Sequence, residues 1–114
     1  MTANFNEFDL QPQLVRTIAD IGYAAPTPIQ STVIPAMLAG QDVIGQSQTG
    51  SGKTAAFSLP ILNNLQTGQR YVQSLVVTPT RELAIQVADA MVTYGRQTGV
   101  RVLAVYGGQP YDRQ

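Results

Sequence analysis

Along the chain, apolar positions recur at helical spacing in four stretches and run together in three short segments. Leu14, Val15, Ile18 and Ile21 share one helical face, and Pro12 suits a first helical position. This predicts a helix from 12, stopped at Gly22. A second helix is predicted from Thr27-Pro28 to Gly40, with a stripe of Ile29, Val33, Ile34, Met37 and Leu38. Pro35 lies inside it and is expected to bend it. The β-branched run 42–45 reads as a buried strand, and 52–66 as a helix ending at Thr67-Gly68. Segment 74–78 reads as the next strand. A long helix over 81–98 turns Leu83, Ala84, Val87, Ala88, Met91 and Tyr94 inward. A third strand, 100–106, ends at Gly107-Gly108. Strands alternating with helices of ten or more residues imply βαβ units, hence an α/β fold with a parallel sheet flanked by helices. No internal linker or repeat interrupts the pattern, so residues 1–114 read as one unit.

Composition narrows the chemistry. Apolar residues make up 44% and charged residues 12%, which argues for a packed core over disorder. With neither cysteine nor histidine, disulfides, thiolate nucleophiles, histidine-based triads and most zinc sites are excluded. The net charge is zero but unevenly placed. Residues 1–53 carry Arg16 and Lys53 against four acids, a balance of −2, and residues 54–114 carry +2. No apolar run nears the ~20 residues of a membrane span, and the start lacks the pattern of a signal peptide. A soluble, cytoplasmic protein with no membrane contact is expected.

Four segments carry candidate chemistry. Ser47-Gln-Thr-Gly-Ser-Gly-Lys-Thr54 follows a predicted strand and opens a predicted helix. Gly50 and Gly52 let the backbone turn tightly, so that amide N–H groups and the helix N-terminus converge on one point. Lys53 would reach the β- and γ-phosphates of a nucleotide, and the Thr54 hydroxyl would ligate Mg²⁺. The first position, glycine in the strict pattern, is Ser47. The bland alternative is a flexible Gly-Ser loop with a chance lysine. In Gly22-Tyr-Ala-Ala-Pro-Thr-Pro-Ile-Gln30, Thr27 and Gln30 make a capping box around Pro28. The Gln30 amide could equally pair with adenine N6 and N7. Pro79-Thr-Arg-Glu-Leu-Ala84 lies at the carboxyl end of a predicted strand, where open parallel sheets bind ligands. Its hydroxyls and Arg81 suit a phosphate, although a capped helix start with solvated charges explains it too. Gly107-Gly108 permits close backbone approach to a ligand, or is a plain turn.

Together these segments resemble the N-terminal part of a DEAD-box ATP-dependent RNA helicase. Gly22 to Gln30 is similar to that family's Q motif, Gln48 to Thr54 to its Walker A motif, Pro79 to Ala84 to its motif Ia, and Gly107-Gly108 to its glycine doublet. Their order and spacing match over essentially the whole chain. The family commonly has alanine where this chain has Ser47, and the loop is expected to close over the extra hydroxyl. The resemblance implies the first half of a RecA-like P-loop domain. It implies an ATP site built from Phe5, Gln30, Ser47, Gln48, Thr49, Gly50, Ser51, Gly52, Lys53 and Thr54, with Mg²⁺ reached by Thr54 through the nucleotide. Phe5 is the aromatic expected to stack on adenine, a core role being its alternative. Pro79, Thr80, Arg81, Gly107 and Gly108 would touch the RNA sugar-phosphate backbone, positioning a strand without reading its sequence.

The chain holds no Asp-Glu-Ala-Asp tetrad and no Ser-Ala-Thr motif. The resemblance therefore implies a fragment whose parent unwinds RNA duplexes with ATP, and which alone binds ATP or ADP without hydrolysis. A non-catalytic nucleotide-binding or interaction module is the alternative, and an unrelated P-loop enzyme a weaker one. In RecA-like folds the strand before the phosphate loop pairs with strands later in the chain. Segment 42–45 is therefore expected to lack neighbours, while 74–78 and 100–106 pair. Unpaired edges of this kind predict a homodimer.

Overall fold

The computed structural model describes residues 4–47 and 52–108. A 3₁₀ turn (Phe5–Glu7) precedes four helices: α1 (Pro12–Asp20), α2 (Pro28–Leu38), α3 (Lys53–Asn64) and α4 (Arg81–Tyr94). The Asn4 side chain caps the opening turn by accepting from Asn6 N–H at 2.9 Å. Helix α1 starts at Pro12, whose fixed φ is compatible with the first helical position. It buries Leu14, Thr17 and Ile18. The Thr17 hydroxyl, fully buried, donates to the Gln13 carbonyl one turn back at 2.9 Å. Helix α2 runs through Pro35 to Leu38 and buries Val33 and Ile34.

Helix α3 is the centre of the molecule. It packs against α2 on one side and α4 on the other, and α1 leans on α4 and the opening turn. Ala55, Ala56, Leu59 and Leu62 of α3 join Leu14, Ile18, Ile34, Val87, Met91 and Tyr94 in the core. The N-terminus is tied to this helix across 52 residues. Gln11 N–H donates to Asn63 Oδ1 at 2.7 Å, and Gln11 Nε2 donates to the Asn63 carbonyl at 2.8 Å. That reciprocal pair satisfies a donor at the start of α1 and an acceptor at the end of α3, where each helix leaves backbone groups unmatched.

Helix α4 ends at Tyr94, four residues before the expected Thr98. Its C-cap is Gly95, buried between α3 and the following segment. A methyl group on Gly95 would lie 2.5 Å from Val100 Cγ1 and 3.2 Å from Leu62 Cδ2. The chain therefore has to turn here, and the Thr98 hydroxyl closes the turn on the Gly95 carbonyl at 2.7 Å.

Segments 74–78 and 100–106 keep a strand-like burial alternation, 42–45 is not the buried strand its β-branched run suggests, and none of the three forms a hydrogen-bonded ladder among the described residues. In 100–106 every second residue, from Val100 to Tyr106, is half-buried, while Arg101, Leu103 and Val105 are exposed. In 74–78 the half-buried positions are Val76 and Thr78. Val76, Val100 and Val102 pack against the helical core. Segment 42–45 is exposed throughout. The pairing expected between 74–78 and 100–106 is thus not formed among the described residues. Two isolated strands are marginal without a third to extend the sheet, so packing fixes their side-chain alternation more firmly than their ladder.

Candidate functional site

The start of α3 is where the second and first candidate segments meet. Gly52 is its N-cap and sits in the left-handed region at φ +88°. Gln30, only 2% exposed, joins the two helices. Its Oε1 accepts from Thr27 N–H at 2.9 Å, and its Nε2 donates to the Gly52 carbonyl at 3.1 Å. The amide-to-cap half of the capping box is therefore closed. The reciprocal approach of the Thr27 hydroxyl to the Gln30 backbone is looser, and Thr27 Oγ1 is buried without a hydrogen-bond partner. Gly52 cannot carry a side chain here, because a Cβ would run into the Gln30 amide and come 3.0 Å from Thr27 Oγ1.

Lys53 opens α3 and is exposed, and its Nζ donates to the Ser47 carbonyl at 2.6 Å. The lysine thus bridges the two ends of the loop that it is expected to serve. Thr54 follows, half-buried. Gln48, Thr49, Gly50 and Ser51 lie outside the described residues. Beside Lys53 a cavity of about 250 Å³ opens between α2, α3 and segment 43–45. Lys53 and Gly45 share its lining with Ile29, Val33, Met37, Val43, Ala56 and Phe57, so its walls are largely apolar with one cation at the rim of the phosphate-loop helix.

A second cluster forms at the start of α4. Thr80 is the N-cap, its hydroxyl accepting from Leu83 N–H at 3.1 Å. Arg81 is exposed, and its ion pair with neighbouring Glu82 at 3.6 Å is a loose surface contact. Gly108, at φ +83°, comes alongside: a Cβ placed on it would lie 3.4 Å from Arg81 Nη1. Thr80, Arg81, Gly107 and Gly108 are therefore gathered at one end of the fold, with exposed Pro79 beside them.

Phe5 is not brought to Gln30 as an open stacking surface. It is 4% exposed, with its ring edge-on to Phe8 at 5.9 Å and tilted against Tyr23 at 6.5 Å. Tyr23 continues the row to Tyr94, hydroxyl to hydroxyl at 3.1 Å. Burial, and then the hydrogen bond shared with Tyr23, push the Tyr94 phenol well above its ordinary range, so it stays protonated. The Tyr23–Tyr94 pair and the Gln30–Gly52 bond escaped the sequence reading. Both join residues far apart in the chain, and no local spacing signals them.

A family model described as DEAD/DEAH box helicase matches residues 27–114. The chain belongs to the DEAD/DEAH box helicase family. It is 52% identical over 111 residues to an ATP-dependent RNA helicase DeaD of Buchnera aphidicola, covering 96% of this chain and 18% of that protein. The structure of a DEAD box protein from the hyperthermophile Methanococcus jannaschii superposes with a TM-score of 0.86 at 36% identity. That match covers 97% of this chain and 31% of the other. S. cerevisiae Dbp5 bound to RNA and ADP BeF3 superposes at 0.82 with 34% identity, over 86% of this chain and 26% of Dbp5. The fold is accordingly the RecA-like α/β fold of DEAD-box helicases, and the chain spans about a fifth of the length of the curated relatives it matches. Among the described residues no helix is long and apolar enough to cross a membrane.

Proposed function

We propose that residues 1–114 are the N-terminal portion of a helicase ATP-binding domain, holding an adenine reader, a phosphate loop and part of an RNA track. The observation that carries this reading is the Gln30 bridge to Gly52, which fixes the Q-motif amide against the start of the phosphate-loop helix. On binding ATP or ADP, the Gln30 amide would exchange the Gly52 carbonyl for adenine, donating to N7 and accepting from N6. Lys53 would exchange the Ser47 carbonyl for phosphate oxygens, a charge-assisted contact stronger than the one it leaves. The bare backbone at Gly52 fits a phosphate cradle that a side chain would fill. Thr54, next to Lys53, would ligate Mg²⁺ carried by the nucleotide. Among the described residues no cluster of three or more acids could hold the ion alone. Phe5 belongs to this site only if its ring leaves Phe8 and Tyr23 to meet the base.

Arg81 beside Gly108 supports the RNA part of the reading. An exposed guanidinium next to a glycine turn and the α4 N-terminus suits a sugar-phosphate backbone of any sequence. Exposed, unladdered strand segments support the alternative of an interaction module that associates through strand edges.

Titration calorimetry with ADP and GDP tests the reading. ADP binds better than GDP, and Lys53→Ala weakens ADP binding about 10- to 150-fold, the equivalent of losing a hydrogen bond to a charged group. Equal affinities for the two nucleotides would remove Gln30 from the base site. The chain alone is expected to release no phosphate from ATP, because the sequence lacks the Asp-Glu-Ala-Asp tetrad. Steady, Lys53-dependent phosphate release would overturn that.

A further inference from the structure

Two side-chain bonds tie the 22–30 segment to distant parts of the fold. At its far end Gln30 Nε2 donates to the Gly52 carbonyl at 3.1 Å. At its near end the Tyr23 and Tyr94 hydroxyls meet at 3.1 Å, across 71 residues of chain. Between these points Ala24, Ala25 and Pro26 make no hydrogen bond among the described residues, and both alanines are exposed. Tyr23 is held by the hydroxyl bond, by the Tyr94 ring at 6.1 Å and by the tilted Phe5 ring at 6.5 Å. Tyr94 is a fixed post for it. It is buried at the end of α4, and Gly95, next in the chain, lies so close to Val100 and to Leu62 of α3 that a Cβ would overlap.

We propose that Tyr94 is a positioning residue for the base site: its hydroxyl holds Tyr23, and so keeps the Gln30 amide aimed when that amide leaves Gly52 for adenine. The role rests on Gln30 as the reader of the base, argued above. Of the two side-chain bonds, the one from Gln30 to Gly52 is exchanged for the ligand. The Phe5 ring, the other neighbour of Tyr23, also leaves if it meets the base. The hydroxyl bond is the tie that remains in both states. Helix α3 carries Gly52 at its start and Leu62 near its end. A tie running from Tyr23 through Tyr94 and Gly95 to Leu62 therefore also fixes the base side of the site against the phosphate side. A reading side chain keeps its contact only when its supports hold it within about 0.5 Å. The Asp20–Arg96 pair at 3.3 Å joins the same corner, but both partners are about half exposed, so it contributes little.

Calorimetric titration of the 114-residue chain with Mg²⁺-ADP and, separately, with Mg²⁺-pyrophosphate is the test, pyrophosphate probing the phosphate loop alone. Tyr94→Phe and Tyr23→Phe each keep the ring and remove one hydroxyl. Each should weaken ADP binding about 2- to 12-fold, the worth of one neutral hydrogen bond, and leave pyrophosphate binding unchanged. The double variant should lose no more than either single one, because the two hydroxyls make one bond. Arg96→Ala should bind ADP as the parent does. Unchanged ADP affinity in the Phe variants would overturn the proposal. So would equal losses for ADP and pyrophosphate, the mark of support for the whole fold, or losses that multiply in the double variant. An equal loss in Arg96→Ala would also overturn it, by assigning the effect to the corner as a whole. A parent chain that binds ADP no better than GDP is a different failure: it removes Gln30 from the base site, and the positioning role falls with it.

Discussion

Replacing Gly52 by alanine is expected to destabilise the fold by about 2–5 kcal/mol, the combined cost of a strained backbone and an overfilled contact. Gly22 separates the two causes. Its φ of +90° nearly equals the +88° of Gly52, but a Cβ there meets nothing within 4 Å. Gly22→Ala therefore reports the left-handed backbone alone, at about 1–2 kcal/mol. The excess at Gly52 comes from the Gln30 amide. That amide is the end of a long side chain, yet it is buried and held by Thr27 N–H, so it yields only by breaking a hydrogen bond. Urea titrations of the two variants measure the difference. Equal losses would show that Gln30 moves aside freely and that its bond to Gly52 stabilises nothing. Since the same amide is the proposed adenine reader, Gly52→Ala should also abolish the preference of ADP over GDP, whereas Gly22→Ala should keep it.

Gly95→Val should cost about 3 kcal/mol or more, at or beyond the upper end for overpacked cores. The glycine has φ −94°, a conformation open to any residue, so backbone strain plays no part. Space decides instead. Already the first added carbon would overlap Val100 and lie 3.1 Å from the Met91 carbonyl, a backbone atom that cannot swing away. A branched side chain adds two more carbons between α3, α4 and the 100–106 segment. Because these contacts hold that segment on the core, the variant should become open to tryptic cleavage at Arg101 before it loses helicity. A variant as stable as the parent would mean that Val100 does not pack where the structure puts it.

Helix existence was legible because helices advertise themselves locally. The prolines at 12 and 28 and the apolar stripes at 3.6-residue spacing placed α1 and α2 to within a few residues. The start of α4 was equally plain, with Thr80 as a cap ahead of an apolar stripe. Its end was not. Gly95 stops the helix through Leu62 and Val100, partners 33 residues back and five ahead, while the amphipathic pattern alone runs on to Thr98.

The site divides along the same line. Sequence by itself determined which residues could do chemistry and in what order, because a glycine-rich turn, a lysine and a hydroxyl must be adjacent to cradle phosphate. The motifs alone were enough to identify the DEAD-box family. Only the tertiary structure decided which of those residues meet. It put Gln30 on Gly52, Lys53 on Ser47 and Arg81 beside Gly108, and it placed Phe5 among core aromatics. It also decided which apolar residues of the strand-like segments find cover. Alternation names two faces, but packing on one side against α3 and α4 selects Val76 and Val102 as the covered ones and leaves Leu75, Val77, Leu103 and Val105 in water. The physical reason is range: propensity, capping and turn chemistry act within a few residues, whereas burial and hydrogen-bond pairing depend on where distant parts of the chain are brought.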